Sequence, residues 1–289
     1  MIAAAIPTLD LNKRLDLKDS CKPYAHIIAD AVGTIKLMGT AAADAIDEAL
    51  AGANTVLAAR AEPMIPRIFG IDLRYTPQLR KLSNSFRVIG DPDNNDVPIL
   101  CDPDIIHEKR GQESYTGNNP PDNLMAQWSP VFNAWIFVDK GITEMCPPLR
   151  EGRHMPFRFA SKPDERRELI LLCPRIFQNW RREKQLSYAK EHQDEVKQNG
   201  TLLADYHQTP TRVLFHELGH SLKAGRAVDT KIYHNGALKG VYGMHLVTRL
   251  SKISPARALT NADSWTYFAM AMLLDEWYWF SGKPRTPPC

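Results

Sequence analysis

His216, Glu217 and His220 stand in the spacing H-E-x-x-H. Residues four apart on a helix lie one turn apart on the same face, so both imidazoles can reach a single metal ion at about 2.0–2.1 Å, the zinc–nitrogen distance. Glu217 then falls beside the ion, where a carboxylate can take a proton from a water whose pKa the metal lowers from about 15.7 towards about 7. The preceding residues carry a helix start: Thr209 can cap, Pro210 suits the first helical position, and Val213, Leu214 and Phe215 lead into the histidines. The pattern predicts a zinc helix with hydrolytic chemistry. The competing reading is a helix on which two histidines merely fall at that spacing.

A zinc site that does catalysis uses three protein ligands and leaves a position for water, so a third ligand has to be sought downstream. The longer motif with a third histidine six residues on fails, because Lys223 and Arg226 occupy its glycine and histidine places. The remaining candidates are Asp229, His234, His245, Asp263, Asp275 and Glu276, the only glutamate after Glu217.

Those residues need a scaffold, and the chain has the material for one. Its 289 residues, 44% hydrophobic and 24% charged, can bury a full core. The net charge is +3, with lysines and arginines spread along the chain, which argues against a nucleic-acid partner. No stretch approaches the roughly 20 apolar residues of a membrane span, and no signal peptide is visible before Asp10, so a soluble chain is expected, which a mature form without its leader also fits. Five separated cysteines form no C-x-x-C pair. Cys21, Cys101, Cys146 and Cys173 could pair in three ways as disulfides, with Cys289 the odd thiol.

Residues 1–22 read as a loose segment and 23–285 as one domain, with a helical and strand part over 23–165 and the zinc-binding part over 166–285. Alanine, leucine and isoleucine at helical spacing predict helices over Tyr24–Met38 and Thr40–Ala61. From Pro63 to Pro103 the texture turns to short β-prone pieces, at 67–70, 86–89 and 97–100. The turn Cys101–Asp104 reads as a solvated Asx turn. Residues 111–130 read as a long loop, Val131–Val138 and Glu168–Cys173 as strands, and 186–199 as a charged helix or loop. One of those strands is expected to run above the zinc helix as an edge where an extended peptide could pair. Asn199-Gly-Thr201 is the single glycosylation sequon.

The C-terminal third resembles the aspzincin metallopeptidases, the fungal deuterolysin and lysine-specific metalloendopeptidase group. The resemblance rests on His216-Glu217-x-x-His220, Gly225-Arg-Ala-Val-Asp229, Tyr242-Gly243 and Asn261-Ala-Asp-Ser264 followed by Tyr267-Phe268-Ala269, in that order over residues 168–281. It implies a Zn²⁺ site of His216, His220 and Asp229 with Glu217 as general base, Asp263 being the alternative third ligand. It also implies a tyrosine that steadies the oxyanion, Tyr242 in preference to Tyr233. Arg226 replaces the family's threonine, and Tyr-Gly comes thirteen residues after Asp229 instead of close behind it.

In lysine-specific members the residue equivalent to Asp263 receives the substrate lysine with a second acid three positions on. Here that position is Thr266, which weakens the transfer of lysine specificity. Asp263 can also be read as part of a T-x-x-D capping box with Thr260. The aromatics Trp265, Phe268, Trp277 and Tyr278 read as core. The expected fold is α+β and zincin-like, with a helical N-terminal layer, a small twisted sheet and the H-E-x-x-H helix. The expected function is zinc-dependent endopeptidase hydrolysis of a peptide or protein substrate by a secreted monomer. The alternatives are an inactive zinc-binding effector on the same scaffold and a structural zinc closed by His234 or His245.

Overall fold

The structure, a computed structural model, describes residues 19–91, 97–101, 109–110, 113–117, 119–121, 123–140, 146, 151–178, 180–274 and 279. The sequence readings at 1–18, Asp102–Asp104, Asp275–Tyr278 and Cys289 lie outside them.

Apolar side chains at three- and four-residue spacing build the N-terminal layer. Helix α1 (Ala25–Leu50) buries Ile28, Val32, Ile35, Met38, Ala42 and Ile46, α2 (Val56–Phe69) buries Ala61, Met64, Ile65 and Ile68, and α3 (Thr76–Ile89) buries Leu79, Leu82, Phe86 and Ile89. The expected break between two helices at Gly39 does not occur; α1 runs through it. A Cβ at Gly39 would stand 2.5 Å from the Gly90 Cα, so the bare backbone is what lets α1 approach the end of α3. The chain turns instead at Gly52, where φ is 65°, and α2 restarts behind Thr55, whose hydroxyl accepts from the Ala58 N–H at 3.1 Å.

Residues 67–69 and 86–89, expected as strands, are the last turns of α2 and α3. Short apolar runs fit either period, and here their side chains continue a helical stripe. Pro63, expected to open the strand region, sits inside α2 with Pro66.

Among the described residues, strand β1 (Ile99–Leu100) is the strand realised in that region. A ribbon of β2 (Lys109–Arg110) and β3 (Glu113–Ser114) follows, then β4 (Leu124–Ser129), β5 (Ala134–Asp139), β6 (Gly152–Phe159) and β7 (Lys162–Leu172). The stretch 111–130 is therefore not one long loop, since β4 pairs with β5 over six residues. The five-stranded sheet has the order β1-β7-β6-β5-β4, with β1 and β7 parallel and the others antiparallel. One face buries Ile136, Met155, Phe157, Leu169 and Leu171, while Ile170 and Leu172 on the other join the helical core.

Beyond the sheet, α4 (Arg175–Gln178), α5 (Leu186–Glu191) and α6 (Gln193–Gln198) lead to α7 (Pro210–Gly219). The hairpin of β8 (Lys231–His234) and β9 (Ala237–Gly240) comes next, then α8 (Met244–Ile253), α9 (Pro255–Ala258) and α10 (Ala262–Leu273). Every residue of α7 and of α10 is buried, so these two helices form the centre on which the other layers pack. Trp265 and Phe268 belong to that core. Arg60 of α2 donates to the Ala271 and Leu274 carbonyls at 2.7 and 2.6 Å, satisfying the end of α10.

Disulfides join Cys21 to Cys101 and Cys146 to Cys173, one of the three pairings available to those four cysteines. No helix of the described residues is long and apolar enough to cross a membrane.

Candidate metal centre

Thr209 starts α7 as its composition requires: its hydroxyl accepts from the Arg212 N–H at 3.3 Å, and Pro210 fills the first helical position. His216 and His220 then project from one face with ring centroids 4.9 Å apart. His220 is the C-cap, after which the chain reverses through Gly225 and Arg226, both at positive φ, 104° and 58°. The Ala227 N–H returns to the Gly219 carbonyl at 2.9 Å. The Val228 N–H reaches the Thr260 carbonyl at 2.7 Å, and Asn261 Oδ1 accepts from the Thr230 N–H at 3.2 Å. Asp229 is thus held between two anchored neighbours and carried back over the helix.

The result is one group of three donors, His216, His220 and Asp229. His216 Nε2 lies 3.2 Å from His220 Nε2 and 3.1 Å from Asp229 Oδ1, and His220 Nε2 lies 3.6 Å from the same oxygen. A tetrahedral ion with ligands at about 2.0–2.2 Å has edges of about 3.3–3.6 Å, and the three separations straddle that range. His220 Nδ1 lies 2.7 Å from the Ala227 carbonyl, which can only accept, so Nδ1 carries the proton and Nε2 of the neutral ring presents a lone pair. His216 Nδ1 lies 2.9 Å from the Asp263 carboxylate, whose charge favours a proton on that nitrogen and turns Nε2 towards the other donors. Two lone pairs and a carboxylate then face one point, an arrangement that repels itself unless a cation or a proton stands there. The donor set fits zinc. Imidazole and carboxylate donors suit that ion, and Asp229, 40% exposed at its side chain, leaves the group open to solvent on one side.

No family model matches the chain, and no curated relative matches it. Among solved structures, a zinc peptidase from Grifola frondosa is similar at a TM-score of 0.35 and 13% identity, over 83% of this chain and 93% of that one. A likeness of that size does not establish a shared fold.

Around the donors lies a second layer. Asp263 has no exposed surface and touches three groups: the Arg212 guanidinium, His216 Nδ1, and the Gly243 N–H, which donates to it at 2.9 Å. It stands at the start of α10, where the helix dipole favours a carboxylate. The capping-box reading is overturned, since Asn261 is the N-cap and the Asp263 carboxylate turns inward, while the Thr260 hydroxyl donates to the Arg257 carbonyl. Burial pushes the Asp263 carboxyl up, but Arg212 and His216 pull it below the usual carboxylate range. Burial likewise depresses the Arg212 guanidinium, and Asp263, with smaller help from Tyr267, Glu217 and Glu151, more than restores it. For His216, burial pulls down, yet hydrogen bonds to Asp229 and Asp263 win and raise the imidazole to about 9. Asp229 is held well below its ordinary value, its two histidines outweighing burial.

Glu217 is buried, and its Oε2 accepts from the His154 N–H of β6 at 2.6 Å. Gly152 permits that approach: a Cβ there would come within 2.6 Å of Val213 Cγ1 on α7. The strand that touches Glu217 is therefore β6, which the sequence reading missed; β7, expected in that place as an edge, also packs on α7 but lies inside the sheet between β1 and β6. Among the described residues, Arg158 and Phe159 of β6 pair with β5, and 152–159 pair with β7.

Of the tyrosines, Tyr242 lies with its ring 6.3 Å from that of His216, fixed by Gly243 at φ 86° and the bond to Asp263. Tyr233 sits on β8, 74% exposed. His234 and His245 pair with each other, ring centroids 5.4 Å apart, outside the donor group.

Sequence reasoning also missed Arg212, Asn261 as a loop clamp, and Glu168, which accepts from the Leu222 N–H at 3.0 Å and so holds the turn after α7. A signal existed only for Arg212: a cation one turn before His216, in an otherwise apolar helix, must find a buried partner.

Proposed function

We propose that this chain is a zinc metalloendopeptidase, a single zincin-like domain over residues 23–285 that acts outside the cell as a monomer on peptide or protein substrates. The observation that carries the reading is the convergence of two Nε2 lone pairs and one carboxylate at tetrahedral spacing, with Glu217 on the same helix turn. His216, His220 and Asp229 would hold the ion, which when bound polarises the scissile carbonyl and acidifies water.

The rest is done by side chains and backbone of this protein. The His154 N–H fixes one oxygen of Glu217 and leaves the other to take a proton from the attacking water and pass it to the leaving amine. The tyrosine nearer the donors, Tyr242, donates its O–H to the developing oxyanion. Asp263 acts as a positioning residue, holding the His216 ring and, through Gly243, the place of Tyr242; its burial argues against contact with substrate. Two disulfides suit an oxidising compartment.

Casein cleavage by zinc-loaded wild type and Glu217→Ala tests the reading. Loss of activity by a factor of about 10³ or more in the variant, with zinc content kept, is expected; equal activity in both proteins removes it.

A further inference from the structure

Tyr242 borders a second feature. Behind it opens a cavity of about 710 Å³ whose walls include Arg67 of α2, the Leu202–Ala204 segment, and His245, Thr248, Arg249 and Lys252 of α8. Positions 245, 248, 249 and 252 recur at three- and four-residue spacing, so they form one face of α8 about 10 Å long.

That face is cationic. Among the described residues no acidic side chain lines the cavity, and neither Arg249 nor Lys252 forms an ion pair. The nearest acid in sequence to the opposite wall, Asp205, is occupied by the Leu202 N–H at 2.7 Å. Thr248 Oγ1 is shielded from solvent and has no hydrogen-bond partner among the described residues. Helix α8 begins at the cavity with no side-chain cap and no acid in its first turn, which adds its dipole to the same positive field.

We propose that this cavity receives a carboxylate of the peptide being cleaved, so that the protein selects substrates with an acidic group close to the scissile bond. The proposal rests on the peptidase reading and names its substrate class. The Arg249 guanidinium and the Lys252 ammonium beside a hollow that holds a side chain are the chemistry of carboxylate recognition. A substrate lysine would be repelled there. Asp263, the residue through which the resemblance implied lysine selection, is sealed beneath Gly243 and offers no counter-charge.

The test uses the zinc-loaded full chain and a mixed peptide library with amidated C-termini. Enrichment of Asp and Glu at one position near the cleaved bond is expected. A matched peptide pair differing only by Glu or Gln at that position then gives a kcat/KM ratio of roughly ten in the wild type. That ratio should fall towards one in Arg249→Gln and below one in Arg249→Glu/Lys252→Glu, both exposed positions where folding is retained. A third peptide, with Gln there and a free C-terminus, tells a terminal carboxylate from a side-chain one; preference for it keeps the proposal with the chain end as the source. A wild-type ratio near one for both carboxylates, or a ratio that the Arg249 variants leave unchanged, overturns it.

Calorimetry of the same peptides on Glu217→Ala provides a readout without turnover. Selective binding of the acidic peptide that Arg249→Gln abolishes, together with a zinc-loaded wild type that cleaves none of these peptides, keeps the subsite and removes only the peptidase reading. Equal binding of the two peptides, with no cleavage by the wild type, removes both.

Discussion

Replacing Asp263 by asparagine separates a positioning role from a substrate-binding one. The carboxylate has no exposed surface and balances a guanidinium buried beside it. Removing one member of such a pair strands the other charge and costs about 3–5 kcal/mol. At about 2.1 cal/mol/K per residue, the 289-residue chain has an unfolding entropy near 0.6 kcal/mol/K, so Tm should fall by about 5–8 °C. Zinc affinity should fall about 10–100-fold, because His216 Nδ1 loses the group that orients it.

The double variant Arg212→Met/Asp263→Leu distinguishes the two effects. Apolar replacement of a buried pair is often neutral, so Tm should return to within about 2 °C of wild type while zinc stays weak. Because the Asp263 carboxyl is held below its usual range, its stabilisation is present above the unfolded pKa of about 3.9 and is lost as pH falls through the lower folded value. The Tm gap between wild type and Asp263→Asn should therefore be full at pH 7 and close in acid. Differential scanning calorimetry and zinc-chelator competition read both quantities. An Asp263→Asn protein with unchanged Tm and zinc affinity but altered cleavage preference would refute the positioning role.

Further outcomes follow from other contacts. In the metal-free protein the His216 imidazole, raised to about 9, holds a proton that zinc must displace, so affinity should climb about tenfold per pH unit from neutrality towards pH 9 and then level; a flat profile by chelator competition would contradict this. Tyr242→Phe should lower kcat about 10²-fold with little change in KM, whereas Tyr233→Phe, on the exposed hairpin, should stay within about twofold in steady-state assays. Gly39→Ala should destabilise by about 1–3 kcal/mol in urea melts, because the added methyl meets the Gly90 and Phe86 backbone at 2.5–2.6 Å.

What could be read from the sequence was local. The helix start at Thr209-Pro210, the one-turn histidine spacing and the buried character of Trp265 and Phe268 depend on neighbours within a few positions, and each appears in the structure. What could not be read depended on distant chain. Gly39 looks like a helix break until Gly90 is packed against it, and Gly152 looks like a loop residue until α7 lies across it. The His154 contact to Glu217 is made by a backbone N–H, which leaves no trace in residue type. Asp263 carried three competing readings, as ligand, cap or substrate contact. Only the positions of Arg212 and Gly243, 51 and 20 residues away in sequence, show that its carboxylate is already engaged. The cationic wall of α8 went unread, because its place beside the donor group depends on the turn at Tyr242-Gly243.

The most direct test of the metal centre is anomalous diffraction at the zinc edge on crystals of the full chain. The expected result is one zinc per chain, within about 2.0–2.2 Å of His216 Nε2, His220 Nε2 and an Asp229 oxygen, with the fourth position taken by no protein atom. An ion ringed by four side chains, or zinc bound with Asp229 turned away, would contradict it.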